Sequence, residues 1–595
     1  MLETLQMTIL YGSETGTAQD TAEDIWKSAK RLQLKCTVKS MDDYDIKNLL
    51  SESLIIFVVA TTGQGDQPSN MRKFWRYMLN KKLPNNLLEN INYGVIGLGD
   101  SSYEKYNYAA KKLNNRLLQL GAKQIIPIGL ADDQHDLGID AIIIPWVKKL
   151  WDSIQIIFNV SLSTDHNNDN LIERFDVKIL PMNKETSKNI NKKYRDIHKE
   201  EIKIIDRMKI ATVSDNIRTT SHDHFQDVRL IKLKLNNIDY LPGDLIYIKP
   251  KNSIEQINNF FELLKDINVP LYPEMIIKII EKEINIPVCL KISDLTLYEI
   301  VEQYWDLNYK PRRSTMKILA SIADDELEKE KLTEFSLSIG QDELYNYVNR
   351  PRRNIIEVLN DFPHTKKKLN EKILFEIMSP IKPRAFSIAS SNKHSNNEIH
   401  VLVAVVKYKT KLITPRLGLC SNWLASLKYN DEIVCWLQKG TFKFAIDKPM
   451  ILIASGTGVA AFRSLLLDCA AKNYNLNNTC MFFGCRYKVK DYHCQDEFEL
   501  LQRENNLRVF CAFSRDQPEK RYVQHAIRAE GQLCWNLLEQ GGQIYLSGSS
   551  KNMPKCVRDE FIDIAKNYGH LSTDEAEEFI IKLEKSGRYQ TETWS

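Results

Sequence analysis

The chain has 595 residues, of which 43% are apolar and 27% are charged, and its formal net charge at pH 7 is +4. This length exceeds what a single hydrophobic core supports, so we expect three or four domains. The balanced charge excludes a strongly basic nucleic-acid surface, and the apolar runs are too short to span a membrane. We expect no signal peptide or membrane anchor, because a strand-like segment at residues 7–11 begins almost at once.

The 11 cysteines are scattered along the chain. None of them belongs to a CxxC pair or to a cysteine–histidine cluster with the spacing of a zinc site. This pattern indicates reduced thiols in a cytoplasmic protein and no bound metal. We further expect a monomer that binds neither nucleic acid nor membrane.

Residues 1–158 alternate between strand-like and helix-like segments. Four apolar runs each lead into a loop rich in glycine or aspartate and then into a helical pattern. These runs are residues 7–11, 54–60, 93–97 and 124–128. The alternation predicts an α/β domain with a doubly wound parallel sheet.

The rest of the chain divides by composition and pattern. Residues 159–202 are rich in Asn, Lys, Asp and Ser, which predicts a flexible linker. Strand patterns at residues 203–255 and 373–445 predict one antiparallel β-barrel, interrupted by a helical insertion at residues 256–372. Residues 446–595 return to alternating strands and helices and predict a second α/β domain.

A loop with phosphate-binding chemistry follows the first strand. Residues 11–18 read Tyr-Gly-Ser-Glu-Thr-Gly-Thr-Ala, and a helical pattern opens at the end of this segment. Hydroxyl groups and the free N–H groups of a helix N-terminus can hold a phosphate without a lysine. The lack of a Gly-Lys-Ser/Thr motif argues against a nucleotide triphosphatase and favours a tightly held phosphate monoester. Taken alone, the loop is equally well explained as a structural strand-to-helix turn.

Two further loops follow strands of the same domain. Residues 60–66 read Ala-Thr-Thr-Gly-Gln-Gly-Asp, and residues 97–107 read Gly-Leu-Gly-Asp-Ser-Ser-Tyr-Glu-Lys-Tyr-Asn. Doubly wound sheets bind ligands at the carboxyl ends of their strands, where all three loops are expected. Tyr103 can offer an aromatic face to a flat ring; the alternative is that it only packs within its loop.

This set of loops resembles the flavodoxin-like FMN domain of the cytochrome P450 reductase family. The resemblance implies that residues 13–18 hold the FMN phosphate and that residues 60–63 and 98–107 flank the ring. Thr62 stands where P450 reductases carry an aromatic residue, so we expect stacking from Tyr103 on one face only. The implied FMN-binding residues are Ser13, Glu14, Thr15, Gly16, Thr17, Ala18, Ala60, Thr61, Thr62, Gly63, Leu98, Gly99, Asp100, Ser101, Ser102, Tyr103, Glu104, Lys105, Tyr106, Asn107 and Asp133.

Residues 384–387, Arg-Ala-Phe-Ser, resemble the FAD-binding signature of ferredoxin reductase-type barrels. The resemblance implies that Arg384 neutralises the pyrophosphate, Phe386 covers the ring and Ser387 hydrogen-bonds near flavin N5. Phe386 replaces the usual tyrosine and lacks its hydroxyl group. The implied FAD-binding residues are Arg352 from the insertion, Arg384, Ala385, Phe386, Ser387, Gly418, Leu419, Cys420 and Ser421.

A glycine-rich turn at residues 455–458, Ser-Gly-Thr-Gly, lies between a strand pattern and a helix pattern and predicts a nucleotide site. Cations and hydroxyls downstream suit the 2′-phosphate of NADPH, whereas an NADH site needs an acidic residue on the ribose. The family resemblance gives the same assignment and places Thr457 on the nicotinamide side. The implied NADPH-binding residues are Thr457, Ser514, Arg515, Lys520, Arg521, Tyr522, Val523 and Gln524.

The resemblance also implies a catalytic set. Trp594 is implied to stack on the FAD face that nicotinamide must reach, and Glu592 to lie near the hydride path. Ser547 stands where the family has a cysteine. The implied catalytic residues are Ser387, Ser547, Glu592 and Trp594.

The resemblance covers nearly the whole chain and is strongest to the cytosolic, NADPH-dependent diflavin oxidoreductases. The loop at residues 60–65, Phe386, Ser547 and the ending at residues 590–595 carry it. It implies electron flow from NADPH through FAD and FMN to an anamorsin-type iron–sulfur protein in cytosolic iron–sulfur cluster assembly. Two alternatives stay open: a soluble reductase of a cytochrome P450 or other haem acceptor, and a non-catalytic flavin-bound scaffold.

Overall fold

The computed structural model describes residues 5–594 except residues 63–64, 102–104, 136, 163–170, 181–193, 237, 283, 285 and 396. The chain divides into two compact units. The first comprises Met1–Ile197, Asn252–Pro380 and Thr410–Leu412, and the second comprises His198–Lys251, Ile381–Lys409 and Ile413–Ser595. No helix in the described ranges has both the length and the hydropathy needed to cross a bilayer.

The N-terminal part of the first unit is a parallel sheet with helices on both faces. Its strands lie in the order Lys35–Ser40, Gln6–Gly12, Leu54–Ala60 and Asn92–Gly99, and the last of these also pairs with Lys123–Gln124 and Gly129–Asp132. Helices Thr17–Arg31 and Asp140–Phe158 pack into one hydrophobic core, and helices Arg72–Met78 and Tyr108–Gln119 pack into another. This strand order confirms the doubly wound, flavodoxin-like fold.

The strand predicted at residues 124–128 is wrong in its extent. Two short strands, Lys123–Gln124 and Gly129–Asp132, flank residues 125–128 instead. Pro127 lies between them and has no N–H group for a sheet hydrogen bond. Its carbonyl oxygen accepts a hydrogen bond from Trp146 Nε1 at 2.9 Å. The apolar run therefore connects two strands and packs against a helix.

Helices dominate the rest of the first unit. Their core is centred on Trp305, whose ring makes edge-on contacts with Phe260 and Phe375 at centroid distances of 6.2 and 5.0 Å. They occupy the segment that the sequence predicts as a helical insertion. The helices are Ile254–Lys265, Leu297–Gln303, Arg313–Ile322, Glu326–Ser336, Gln341–Leu344, Ile355–Asp361, Pro363–Lys366 and Glu371–Ile377.

Regular structure also occurs in the interval that the sequence predicts as a flexible linker. Strand Phe175–Leu180 pairs antiparallel with Ile276–Glu281, which also pairs with Leu295–Thr296. Helix Ile197–Ile202 ends the interval. The linker prediction is corrected for these residues, because alternate side chains of the first strand are buried in the helical core. Residues 163–170 and 181–193 lie outside the described residues.

An antiparallel sheet of six strands opens the second unit. Its order is Arg384–Ser387, Leu245–Ile248, Glu432–Gln438, Lys209–Arg218, Val228–Lys234 and Glu398–Ala404. Ile388, which follows the first of these strands, forms a single bridge with Val401 of the last. Within the described residues, the predicted barrel is thus a sheet joined at one bridge and not a closed cylinder. Smaller elements are strands Lys407–Tyr408 and Arg416–Leu417 and helix Leu419–Ser426.

Five parallel strands form the second sheet of this unit and confirm the second α/β fold. Their order is Arg508–Phe513, Thr479–Cys485, Met450–Ser455, Gln543–Ser549 and Tyr589–Trp594. The accompanying helices are Val459–Ala471, Lys488–Asp491, Gln495–Asn505, Val523–Ala529, Gly531–Glu539, Met553–Gly569 and Thr573–Ser586. The final strand fixes the C-terminal residues at the edge of this sheet.

A buried arginine connects the two sheets of the second unit. Arg463 lies on helix Val459–Ala471 and is 4% exposed. Its Nη1 donates to the carbonyl oxygen of Ala389 at 2.6 Å and to His400 Nδ1 at 3.2 Å, while Nε and Nη2 each bind a carboxylate oxygen of Glu497 at 2.6 Å. Burial first, and Arg463 second, lower the pKa of His400 from 6.5 to about 4. The imidazole is therefore neutral at pH 7, and Nδ1 accepts the hydrogen bond.

We expect the second unit to lose stability as the pH falls from 7 to 5, because the unfolded chain binds a proton on His400 that the folded chain excludes. Between pH 6.5 and 5 the titration of His400 should lower the free energy of unfolding by about 2 kcal/mol, at about 1.4 kcal/mol per pH unit. His400→Gln, whose amide oxygen can still accept from Arg463, should flatten the slope in urea unfolding followed by FAD fluorescence. His222→Gln, at an exposed position, is the control, and an equal slope in both variants would contradict the assignment.

Candidate functional site

The first candidate site is the loop between strand Gln6–Gly12 and helix Thr17–Arg31. Gly16 turns the chain there with a φ of 97°, in the left-handed region that favours glycine. Its N–H group donates to Ser13 Oγ at 3.0 Å, and the N–H group of Ser13 donates to Asn70 Oδ1 at 2.8 Å. These contacts hold the loop open in front of the helix N-terminus, which is the arrangement that binds phosphate in many proteins.

The side chains of this loop divide into two kinds. Glu14 accepts a hydrogen bond from the N–H group of Ser69 at 2.8 Å, and Ala18 is buried in the core, so both fix the loop. Thr15 is exposed and its hydroxyl lies 3.5 Å from that of Thr17. These two hydroxyls are therefore the groups that a phosphate can reach.

The second loop is tied to the neighbouring strand. The N–H group of Thr61 donates to the carbonyl oxygen of Leu98 at 3.1 Å. Thr62 forms a bridge with Asp66, to whose carbonyl oxygen its N–H group donates at 3.0 Å. The loop thus lies at the carboxyl end of its strand as expected. Gly63 lies outside the described residues, and its contact with FMN stays a prediction.

Asp132 organises the third loop, although the sequence did not single it out as an FMN ligand. Its Oδ1 accepts a hydrogen bond from the N–H group of Ser101 at 2.9 Å. At the other end of the loop, Tyr106 and Asn107 donate to carbonyl oxygens of strand Gly129–Asp132 at 2.7 and 2.9 Å. The loop is consequently anchored at both ends to one strand.

Asp133 borders the same loop. Its N–H group donates to the carbonyl oxygen of Gly99 at 2.9 Å. Burial raises the pKa of its carboxyl group, Asp100 raises it further, and Lys310 of the insertion opposes both effects. Three further implied FMN ligands of this loop lie outside the described residues: Ser102, Tyr103 and Glu104. The aromatic stacking assigned to this loop therefore stays a prediction.

A residue of the helical insertion also contacts residues 13–18, which we call the phosphate loop. Arg312 donates from Nη1 to the carbonyl oxygen of Gly16 at 2.9 Å and from Nη2 to that of Thr15 at 3.2 Å. Nearby, Ser314 donates to the two carboxylate oxygens of Asp20 at 2.9 and 3.0 Å. Sequence reasoning misses Arg312 because it belongs to no cofactor motif and its partners are backbone atoms.

We expect Arg312→Ala to weaken FMN binding, because the carbonyl groups of the phosphate loop lose two hydrogen bonds that fix their direction. A net loss of about 1 to 1.5 kcal/mol corresponds to about a fivefold to tenfold higher Kd. Fluorescence titration of the apoprotein with FMN measures this change. Arg76→Ala removes an exposed arginine from the same domain as a control. Equal FMN affinities in the two variants would contradict a role for Arg312 in the loop.

The FAD-binding signature forms an end strand of the antiparallel sheet. In strand Arg384–Ser387, Phe386 pairs with Ile246 and Ser387 pairs with Leu245. Phe386 is partly buried and packs against the core of the sheet, whereas Arg384 is exposed. The exposed Ala385 lies between them. The strand thus offers a cation and an aromatic ring next to each other.

The guanidinium group of Arg384 interacts electrostatically with Cys420, in the first turn of helix Leu419–Ser426. Burial raises the pKa of the Cys420 thiol to about 12, and Arg384 opposes the shift. Cys420 is therefore a protonated core thiol. A guanidinium group that acts on a helix N-terminus suits a pyrophosphate. Arg352, by contrast, belongs to the first unit, and its contact with FAD stays a prediction.

The second loop implied to bind FAD, at residues 418–421, is held by one backbone segment. The N–H group of Gly418 donates to the carbonyl oxygen of Val406 at 2.9 Å. Ser421 Oγ accepts from the N–H group of Val406 at 3.0 Å. Leu419 is the first residue of the helix that follows. The side chain of Ser421 hence shapes the loop, and the backbone N–H groups of the first helical turn are left for a ligand.

The nucleotide turn approaches strand Gln543–Ser549 closely. A Cβ atom at Gly458 would collide with the carbonyl group of Ser547, so only glycine fits there. Ser547 is 1% exposed, and its Oγ has no hydrogen-bond partner among the described residues. Thr457 lies in the same turn. A buried hydroxyl without a partner is costly, and it fits a polar ligand at this turn.

Parallel strand register brings two of the implied catalytic residues together. Ser547 pairs with Ala454 on one side and with Glu592 on the other. Glu592 accepts hydrogen bonds from the N–H group of Thr441 at 3.1 Å and from its hydroxyl. Burial raises the pKa of Glu592, and the Thr441 bonds oppose this shift. Trp594, two residues further along the strand, is 42% exposed.

The implied 2′-phosphate ligands lie between the end of strand Arg508–Phe513 and the first turn of helix Val523–Ala529. Four exposed side chains form this group: Arg515, Lys520, Arg521 and Tyr522. The three cations have no ion-pair partner in the part of the chain that the structure describes. Ser514 is buried, and Gln524 is partly buried. Val523 is 4% exposed and belongs to the hydrophobic core, so only its backbone can contact a ligand.

Three parts of the chain match the models of known protein families. Residues 9–146 match the flavodoxin family, and residues 204–423 match the FAD binding domain family. Residues 452–559 match the oxidoreductase NAD-binding domain family. Each match covers one of the candidate sites.

Relatives extend along the full length of the chain. A Xenopus laevis protein, NADPH-dependent diflavin oxidoreductase 1, is 42% identical over 600 residues, which cover 99% of each chain. A Danio rerio protein of the same name is 42% identical over 99% of each chain. A third, from Schizosaccharomyces pombe, is 36% identical over 98% of this chain and 99% of its own.

Proposed function

We propose, because the chain belongs to the family of NADPH-dependent diflavin oxidoreductases, that its electron acceptor is an anamorsin-type iron–sulfur protein of cytosolic iron–sulfur cluster assembly. The chain is an NADPH-dependent flavoprotein oxidoreductase with FMN, FAD and NADPH as its cofactors. Electrons pass from NADPH through FAD and FMN to an acceptor protein. The proposed acceptor is supported by the resemblance to the cytosolic branch of the family, which Phe386 and Ser547 carry.

The described residues fit the three cofactors. The hydroxyls of Thr15 and Thr17 would bind the FMN phosphate at the helix N-terminus. Arg384 would bind the FAD pyrophosphate, and the exposed Arg515 and Lys520 would bind the 2′-phosphate of NADPH. When bound, the two flavins supply the conversion of a two-electron hydride into single electrons.

The residues around the nucleotide turn would orient the nicotinamide against the flavin. Ser547 Oγ, buried without a partner, would donate to a polar group of the ligand. Thr441 holds the carboxyl group of Glu592 on the neighbouring strand. Ser387 would donate near flavin N5, and Trp594 would cover the flavin face until nicotinamide arrives. These roles rest on the family resemblance and on the register that brings Ser547 and Glu592 together.

The acceptor is tested by stopped-flow mixing of the NADPH-reduced holoenzyme with two oxidised proteins at equal concentration. One is an anamorsin-type iron–sulfur protein, and the other is a microsomal cytochrome P450. We expect reduction of the iron–sulfur protein to be at least about tenfold faster. Faster reduction of the haem protein would overturn the proposed acceptor in favour of a soluble haem-protein reductase.

The scaffold alternative makes a separate claim that NADPH does not reduce the bound flavin. Anaerobic addition of NADPH should bleach the flavin absorbance within seconds if the chain is an active reductase. The same resemblance that supports the acceptor supports a cytoplasmic monomer. Sedimentation of the holoenzyme and imaging of the tagged full chain test these two points.

We expect Trp594→Ala to improve the use of NADH relative to NADPH. The indole stack costs about 0.5 to 1.5 kcal/mol to displace, and NADPH offsets this through contacts to its 2′-phosphate that NADH lacks. Arg515→Ala acts at the phosphate end of the cofactor. It should weaken the binding of NADPH alone by about 1.5 to 3 kcal/mol, because NADH has no 2′-phosphate. That loss corresponds to about a tenfold to a hundredfold weaker affinity.

Steady-state kinetics with both cofactors measure these effects. Lys555→Ala, at an exposed position in the same parallel-sheet domain, is the control and should leave the ratio of kcat/KM values unchanged. A Trp594→Ala variant with the wild-type ratio would show that the indole does not gate the flavin. An Arg515→Ala variant with unchanged NADPH affinity would contradict the phosphate site.

A further inference from the structure

Helix Val459–Ala471 begins directly after the nucleotide turn and is bonded to the segment that follows the FAD signature. Arg463 Nη1 donates to the carbonyl oxygen of Ala389 at 2.6 Å. One residue further along each segment, Ser464 Oγ donates to the carbonyl oxygen of Ser390 at 2.6 Å. Two consecutive carbonyl groups of the antiparallel-sheet domain are thus bound by two consecutive residues of the helix.

A third hydrogen bond extends this row of contacts, which we call the ladder. It joins residues 389–391 on one side to Arg463, Ser464 and Asp468 on the other. Ser391 Oγ donates to Asp468 Oδ1 at 3.0 Å, and Lys472 pairs with the other carboxylate oxygen of Asp468 at 2.5 Å. Ser391 and Ser464 are both fully buried. Three adjacent residues on one side therefore bond to one face of a single helix, because Ser464 and Asp468 are one turn apart.

Arg463 is itself fixed at its far side. Its two other nitrogen atoms, Nε and Nη2, bind the carboxylate group of Glu497 at 2.6 Å each, and the arginine is 4% exposed. A planar guanidinium group bound on two sides has little freedom to shift. A buried, charge-assisted contact is also expensive to break, since it leaves an uncompensated charge. The helix and the segment at residues 389–391 are consequently held in one relative position.

The chain distances from this ladder to the reacting groups are short. Ser387 precedes Ala389 by two residues, and Thr457 precedes the first residue of the helix by two. Helix Val459–Ala471 therefore carries the nucleotide turn at its N-terminus and the ladder on the turns that follow. A displacement of the helix along the ladder would move the turn with respect to the FAD signature strand.

We infer that Arg463, with Ser464 and Asp468, sets the distance between the nicotinamide and the flavin for hydride transfer, as positioning residues that touch neither. This inference rests on the proposed assignment of Ser387 to FAD and Thr457 to nicotinamide. The reaction moves a hydride from NADPH to FAD, and its rate depends steeply on the separation of donor and acceptor atoms. The ladder adds no chemical group to that step; it holds the two halves of the site in register.

The test is anaerobic stopped-flow reduction of the FAD in holoenzyme variants by NADPH, with and without deuterium at the transferred position. Arg463→Met should slow FAD reduction by about 10- to 100-fold, the range for a misplacement near 1 Å, with the Kd for NADPH within about twofold of wild type. Its isotope effect should become more temperature dependent, because a looser separation must be compressed thermally. Arg463→Lys, which keeps the charge on a single donor nitrogen atom, should recover part of the rate.

Arg528→Met is the matched control. Arg528 also forms a bidentate pair with a glutamate of the same domain, Glu560, at 3.0 and 2.7 Å, and among the described residues its guanidinium group makes no hydrogen bond to residues 384–391. A purely structural role of such pairs predicts that both variants lower the melting temperature and that neither changes the isotope effect. Wild-type reduction rates and isotope effects in folded Arg463→Met would overturn the inference.

If Arg463→Met does not fold, single substitutions of Ser464 and Asp468 test the same inference. Ser464→Ala and Asp468→Ala each remove one of these hydrogen bonds and should each slow hydride transfer by about threefold or more without loss of FAD. Wild-type hydride transfer in both would also overturn the inference. Failure of the proposed acceptor is distinguishable, because it would leave reduction of FAD by NADPH unchanged in the wild-type holoenzyme and would appear only when an acceptor protein is added.

Discussion

Parallel pairing of strands is the constraint on which two of the three candidate cofactor sites depend. In a parallel ladder all strands end at the same edge, so every strand-to-helix turn opens on the same side. The turn after strand Gln6–Gly12 and the loop after Asn92–Gly99 meet at one edge for this reason. The same geometry places the turn after Met450–Ser455 beside Ser547 and Glu592. The register of the paired strands therefore brings the residues of each candidate site together before any ligand binds.

Polar side chains then hold the loops that the strands leave. Asp132 and Asn70 each accept a hydrogen bond from a backbone N–H group of a loop. Arg312 binds carbonyl oxygens of the phosphate loop in the same way. None of these residues has to touch a cofactor to matter, because an N–H group that points in the wrong direction binds no phosphate. Their common role is to fix the direction of backbone dipoles.

The sequence predicts those parts of the fold and site that local patterns encode. Glycine-rich turns after apolar runs identify both parallel sheets, because strand, turn and helix are contiguous there. Strand Tyr589–Trp594 and strand Phe175–Leu180 escape such a prediction, since each is recognised only by its distant partner strand. Arg312 and Arg463 escape it as well, because their partners are backbone carbonyl oxygens far away in the chain. Val523 shows what a motif leaves open: its side chain belongs to the core, so only its backbone can serve the predicted site.

The route of the chain through the second unit has a consequence for biosynthesis. Strands Leu245–Ile248 and Arg384–Ser387 are hydrogen-bonded neighbours, yet all of Asn252–Pro380 lies between them in the sequence and belongs to the other unit. A nascent chain cannot complete this sheet until the ribosome has released the whole intervening segment. Closing so long an unfolded loop is entropically unfavourable, whereas a segment that has already folded shortens the gap. Synthesis order thus favours folding of the helical insertion before this sheet is completed, because the folded insertion leaves a shorter gap for the two strands to close.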